Sequence, residues 1–230
     1  MELLTNKLRP THLKDVLGQE HLIGKNKILT NLVKEKKLFN IILYGKSGIG
    51  KTTIALALMN EFNQRYRVLN ATINSKKDFE VVIEEAKLYK GIILIVDEIH
   101  RMNKDKQDIL LSYIESGLIT LIGLTNSNPY HSINPAIRSR CQLLELHSLT
   151  EKDVEKGLKR VKEVLPDIIM DNKTIKYIAT LSDGDIRYAY NLVEFTYYGY
   201  NKEVTIENIK ETNNTPSFFT DKNEDGHYDM

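Results

Sequence analysis

The stretch Gly45-Lys46-Ser47-Gly48-Ile49-Gly50-Lys51-Thr52 constrains this chain more than any other part of it. It fits the phosphate-binding pattern G-x-x-x-x-G-K-[ST]. The run Asn40-Ile41-Ile42-Leu43-Tyr44 before it reads as a buried strand, and Thr52 to Met59 after it reads as a helix. Strand, glycine-rich turn and helix in that order make a cradle. The glycines let the backbone curl until its N–H groups face phosphate oxygens, and the helix N-terminus adds positive potential. Gly45, Lys46, Ser47, Gly48, Ile49, Gly50, Lys51, Thr52 and Thr53 are therefore expected to hold ATP. Lys51 is expected on the β- and γ-phosphates and Thr52 on Mg²⁺.

A second run supports the first. Gly91-Ile92-Ile93-Leu94-Ile95-Val96 is apolar throughout and ends in Asp97-Glu98. A strand apolar on both faces belongs inside a covered parallel sheet, and ligands bind at the carboxyl ends of such strands. Asp97 is the candidate Mg²⁺ residue beside Thr52, and Glu98 the candidate that polarises a water for attack on the γ-phosphate. A plain alternative is a polar ending to a buried strand; the nearby phosphate loop argues against it.

Strands at 40–44, 66–71, 91–96, 118–124 and 141–146 alternate with helical patterns near 51–63, 78–89 and 104–116. A further helix is expected over 25–38 and a helical turn near 135–139, whereas 8–20 reads as irregular, punctuated by Pro10 and Gly18. Alternation of this kind predicts an α/β fold with a five-stranded parallel sheet and right-handed crossovers. After residue 149 only helical patterns follow, near 151–163, 171–181, 185–198 and 204–210. The expected organisation is an α/β nucleotide-binding domain at 1–149, a small helical lid at 150–212, and a flexible tail at 213–230.

Composition excludes several classes. Hydrophobic residues make up 41% and charged residues 27%, a globular balance. A net charge of +1 gives no global attraction to nucleic acid, so any DNA contact needs a local basic face. One cysteine, Cys141, forbids an intramolecular disulfide and fits a reducing compartment. The N-terminus lacks a basic stretch followed by an apolar core, and no apolar run approaches the roughly 20 residues of a membrane helix. A cytoplasmic location without a membrane partner is expected.

A nucleotide-binding α/β unit followed by a small helical one resembles the AAA+ ATPases. That resemblance implies three further catalytic candidates. Asn126, at the end of the fourth strand with Thr125 beside it, takes the sensor-1 place, holding the attacking water; an ordinary turn before Asn128-Pro129 is the alternative. Arg140 is the candidate finger for ATP bound to a neighbouring subunit, with Arg138 the weaker choice. Arg187, in Gly184-Asp185-Ile186-Arg187, is the candidate sensor 2.

A narrower resemblance lies in Asp97-Glu98-Ile99-His100-Arg101-Met102-Asn103-Lys104 with Gln107-Asp108-Ile109-Leu110-Leu111. This stretch is similar to a signature of the replication-associated recombination protein A family. Ile119 to Gly123 with Asn128-Pro129, Gly18-Gln19-Glu20-His21-Leu22, and Asp221-Lys222 with Gly226-His227-Tyr228-Asp229 resemble other segments of that family. Its phosphate loop usually reads GPPGTGKTT; here Lys46 adds a charge and Ile49 replaces a polar residue. The resemblance implies a DNA-dependent ATPase of replication-fork maintenance, recombination and repair. It further implies single-stranded or forked DNA and single-strand-binding protein as partners, and a homotetramer built by a C-terminal domain that would lie beyond Met230. Val16 and Leu17 are implied as adenine contacts. Clamp-loader or branch-migration AAA+ subunits, and a nucleotide-gated scaffold with little turnover, are the competing readings. His100 and Arg101 are read either as relaying nucleotide state or as capping the helix near Asn103, His21 as packing, and the basic clusters 34–37, 76–77 and 156–162 as solvated faces unless the fold gathers them.

Overall fold

A computed structural model describes residues 2–213. The tail expected at 213–230 and the Asp221 to Asp229 resemblance therefore lie almost wholly outside the described residues. Five parallel strands form one sheet: β1 (Ile41–Tyr44), β2 (Tyr66–Asn70), β3 (Ile92–Asp97), β4 (Ile119–Thr125) and β5 (Gln142–Glu145), in the order β2-β3-β4-β1-β5. The central β3 and β4 are buried along almost their whole length, as their unbroken apolar sequences require. Register sets Tyr44 of β1 opposite Thr125 of β4, and Val96 of β3 opposite Gly123 of β4. Because β4 lies between β1 and β3, its carboxyl end separates the phosphate loop from the acidic pair.

Two apolar layers sandwich the sheet. One centres on Phe79, Ile83, Leu94, Leu110 and Leu121 beneath the helices Lys76–Tyr89 and Lys104–Glu115. The other centres on Leu29, Leu43, Ile54, Leu58 and Ile95 beneath the helix Lys51–Phe62. A third core belongs to the helices Glu151–Lys159, Asn172–Leu181, Ile186–Gly199 and Ile206–Asn213. Local signals start these helices: Thr150 and Asp153 form a capping box, and Asp171 and Asp185 accept hydrogen bonds from Thr174 N and Tyr188 N.

Several expectations shift. The helix expected over 25–38 is confined to Ile28–Lys34, with Lys27 extended before it and Lys36 left-handed after it. The helix expected at 151–163 breaks at Arg160, where the backbone bonds tighten to three-residue spacing: Arg160 N to Gly157 O, 3.0 Å, and Glu163 N to Arg160 O, 3.0 Å. The irregular start holds helical turns at Leu4–Lys7, Leu13–Asp15 and Glu20–Ile23, each too short to show periodicity. Leu4 and Leu8 are buried in the core of the helical unit, with Leu4 N donating to both oxygens of Glu194 at 3.0 and 3.1 Å. The segment 4–8 thus packs against the helical unit, far along the sequence.

Candidate active site

β1 delivers the chain into the phosphate loop. Gly45 has φ +143° and Gly50 φ +105°, angles that a side chain would strain. A Cβ on Gly45 would stand 2.5 Å from the carbonyl oxygen of Leu146, so the loop passes hard against the exit of β5. Gly50 caps the helix Lys51–Phe62, whose first amides face the loop. Ile49, expected at a polar position, is 2% exposed and anchors the loop in the core.

A cleft of about 410 Å³ opens over this loop. Ser47, Gly48, Ile49, Gly50, Lys51, Thr52 and Thr53 line it with Asp97, Glu98, Asn126 and Arg187. Val16 and Leu17, both 8% exposed, give it an apolar end together with Leu8, Leu149, Ile186 and Tyr190. Gly45 and Lys46 instead line the adjoining groove with Tyr44, Glu145 and His147, and Lys46 Nζ approaches Asp183 Oδ2 at 3.9 Å on the surface. Arg140 lies outside the cleft, its guanidinium bonded to Glu115 and to Ala136 O at 2.7 Å. Arg138 is spent locally on Tyr130 O, 2.5 Å away.

Lys51 Nζ donates to Gly45 O at 2.8 Å and Lys46 O at 2.6 Å, which curls the loop around the ammonium. Burial lowers the Lys51 pKa; the Asp97 and Glu98 carboxylates oppose that shift, and Arg187 adds to it. The ammonium is therefore under-solvated, which favours an added anion such as a phosphate chain, while the two acids call for a cation beside it. A cleft of this volume, with one apolar end and one end of backbone amides, a lysine and two carboxylates, fits a nucleotide. Thr52 and Asp97 would supply oxygen ligands of the kind Mg²⁺ takes. No cluster of three or more His, Cys, Asp or Glu that could hold a metal occurs among the described residues, so protein groups alone do not make a metal cage.

The acidic pair is fixed by its backbone. Glu98 is left-handed at φ +52°, its N–H donates to Asp97 Oδ1 at 2.9 Å, and its carbonyl accepts from Arg101 N at 2.7 Å. His100 does not cap the next helix. Asn103 does so, accepting from Lys106 N at 3.1 Å. His100 instead lies between Glu98 and Thr125. His21 packs as expected, stacked on His147 with ring centroids 4.0 Å apart.

Two contacts escaped the sequence reading. Gln19, 5% exposed, donates to His147 O at 2.7 Å and Ile49 O at 3.4 Å and accepts from His147 N at 2.9 Å. It ties the phosphate loop to the linker into the helical unit. Asp185, at the start of the Arg187 helix, sits so close that a Cβ on Gly48 would lie 2.0 Å from its Oδ1. Flanked by Gly18, Glu20 and His21, Gln19 carries no local signal of burial; only its place in the family-like segment Gly18 to Leu22 marked it.

The family described as Holliday junction DNA helicase RuvB P-loop domain matches residues 8–134, and the AAA C-terminal domain matches residues 164–230. The chain is 42% identical over 245 aligned residues to replication-associated recombination protein A of Bacillus subtilis (strain 168), covering 100% of this chain and 58% of that protein. It is 38% identical to the ATPase WRNIP1 of Dictyostelium discoideum, over 95% of this chain and 26% of that one. The solved Thermotoga maritima RuvB Holliday junction branch migration motor superposes with a TM-score of 0.75 at 26% identity, covering 89% of this chain and 72% of that chain. Sheet order, phosphate loop, acidic pair and helical lid define a P-loop ATPase of the AAA+ class. The chain belongs to the family of replication-associated recombination protein A, on a RuvB-type P-loop domain. It spans little more than half the length of the Bacillus subtilis relative.

Proposed function

We propose that this chain is a DNA-dependent ATPase whose active site is completed between subunits. The observation that carries this reading is the split of the predicted residues: the phosphate loop, Asp97, Glu98, Asn126 and Arg187 share one cleft, while Arg140 is half-exposed outside it. Lys51 and the loop amides hold the phosphates, and Thr52 and Asp97 hold Mg²⁺, which supplies charge neutralisation along the phosphate chain. Glu98 accepts a proton from the attacking water, and Asn126 orients that water. Arg187 reports nucleotide to the helical unit, and Arg140 reaches the nucleotide of a neighbour. Val16 and Leu17 sit against the adenine.

The name of the Bacillus subtilis relative supports placing the work of hydrolysis in replication-associated recombination. Action at replication forks, with forked or single-stranded DNA as substrate, is part of the proposal. Single-strand-binding protein as a partner, tetrameric assembly and a cytoplasmic, nucleoid-associated location belong to the same reading. Among the described residues no helix is long and apolar enough to cross a membrane. Likeness to the RuvB motor favours one second reading, a branch-migration subunit on four-way junctions.

The deciding experiment measures Mg²⁺-dependent ATP hydrolysis against protein concentration, with and without forked or four-way DNA. Turnover per subunit that rises with concentration, responds to DNA and disappears in Arg140→Ala supports the proposal. Selective stimulation by four-way junctions moves the second reading ahead. Flat turnover indifferent to DNA and to Arg140→Ala refutes the shared site.

A further inference from the structure

The segment after the acidic pair is seated with unusual specificity. Glu98 leaves β3 left-handed, and the turn Ile99–Arg101 folds back onto β4. Ile99 enters the space left by Gly123: a Cβ there would meet Ile99 Cδ1 at 2.8 Å. The next residue places an imidazole, its side chain 9% exposed, between two functional positions. His100 Nε2 stands 3.3 Å from Glu98 Oε2, and His100 Nδ1 stands 2.9 Å from Thr125 Oγ1.

Thr125 Oγ1 accepts from Ser127 N at 3.0 Å, and its hydroxyl proton has two acceptors in reach, His100 Nδ1 at 2.9 Å and Ser127 O at 3.5 Å, of which the imidazole is the nearer. With the hydroxyl donating to Nδ1, a ring proton on Nε2 faces the Glu98 carboxylate. Thr125 is 1% exposed and directly precedes Asn126. One imidazole therefore links the carboxylate that activates water to the strand end that presents the water-orienting amide. A histidine serving only as core filler needs neither contact, and a helix cap would have turned toward Lys106, where Asn103 already acts.

We propose that His100 is a positioning residue for hydrolysis: its ring holds the Glu98 carboxylate in line and couples it to the end of β4 through Thr125. The proposal rests on Glu98 being the residue that takes the proton from water. It predicts a loss confined to turnover, because His100 touches neither the phosphate loop nor the apolar end of the cleft.

The experiment compares the whole chain with the variants Glu98→Gln, His100→Leu, His100→Gln and Thr125→Val. For each, kcat and KM for ATP are measured, with affinity for a non-hydrolysable ATP analogue and a thermal melt. Glu98→Gln loses turnover and keeps analogue affinity. If instead it turns over like the parent, the reading of Glu98 fails, separately from the role of His100. With Glu98→Gln inactive, His100→Leu lowers kcat by about 10²-fold, the scale of a mispositioned reacting group, while KM and analogue affinity stay within about two-fold. His100→Gln, which can donate to Glu98 and accept from Thr125, recovers most of the loss. Thr125→Val falls in the same direction, and the double variant His100→Leu/Thr125→Val is no slower than His100→Leu alone. Parental kcat in His100→Leu overturns the proposal, as does a His100→Gln variant as slow as His100→Leu. Should His100→Leu fail to fold, Thr125→Val decides: parental kcat there overturns the coupling through β4.

Discussion

Alanine at Gly45 tests the geometry of the phosphate loop more sharply than removal of any charge. Two independent penalties fall on that residue. Its φ of +143° is a backbone region that L-residues rarely adopt, worth about 1–3 kcal/mol. Its new Cβ would also meet the Leu146 carbonyl oxygen at 2.5 Å, and backbone cannot swing away as a side-chain tip can; overpacking of this kind costs about 1–3 kcal/mol. A total near 4 kcal/mol lowers the melting temperature by roughly 8–16 °C in a chain of this size. Gly50→Ala is the internal control. It shares the positive φ, at +105°, but has no atom within 4 Å of the added methyl. Only the first penalty applies, so a fall of roughly 4–8 °C is expected. Thermal unfolding followed by far-ultraviolet circular dichroism reads both variants. If Gly45→Ala melts no lower than Gly50→Ala, the close approach of the loop to the exit of β5 plays no part in stability, and the reasoning fails.

Lys51→Ala removes an under-solvated cation, so nucleotide affinity measured by calorimetry falls by at least about tenfold, the worth of one charge-assisted hydrogen bond. Its melting temperature without nucleotide stays near the parent's; a large drop would mean that the Lys51 bonds to Gly45 O and Lys46 O dominate over its burial. Burial pushes the Cys141 thiol up to about 12, so a thiol reagent at pH 8 reacts with it only after denaturation; rapid reaction of the native chain would contradict its burial. The same raised pKa stabilises the fold below the ordinary thiol range, and that contribution is lost as pH climbs toward 12. The backbone N–H of Thr174, and then the Thr174 side chain, hold the Asp171 carboxyl below its usual range. Asp171→Ala therefore melts lower at pH 7, and the gap closes as pH falls from about 3.9 through the depressed native pKa; a gap independent of pH would show that the charge on Asp171 is irrelevant.

The phosphate loop and the acidic pair were legible in sequence because each is a local pattern whose neighbours declare its setting. Gly50-Lys51-Thr52 needs a strand before it and a helix after it, and Asp97-Glu98 needs a long apolar run, all within a dozen residues. The sheet followed from alternation of such runs, and β1 to β5 fall close to their expected spans. What stayed hidden is what sequence separation hides. Gln19 meets His147 across 128 positions, and Asp185 meets Gly48 only after the helical unit has docked. Nor could periodicity place Leu4 and Leu8 in the distant helical core, since a four-residue turn has no period to display. His100 was visible, with two roles left open for it. The choice needed the position of Thr125, which depends on the pairing of β3 with β4.

The burial of Leu4 among helices formed by residues 150 onward also has a consequence on the ribosome. Leu4 N binds Glu194, 190 positions later, so the segment made early gets its partner late. At about 5–20 residues per second, that interval is roughly 10–40 s. Throughout it Leu4 and Leu8 have no helical core to enter, although the α/β sheet can already close. The nascent chain therefore carries an apolar segment that only completion of the lid withdraws from water.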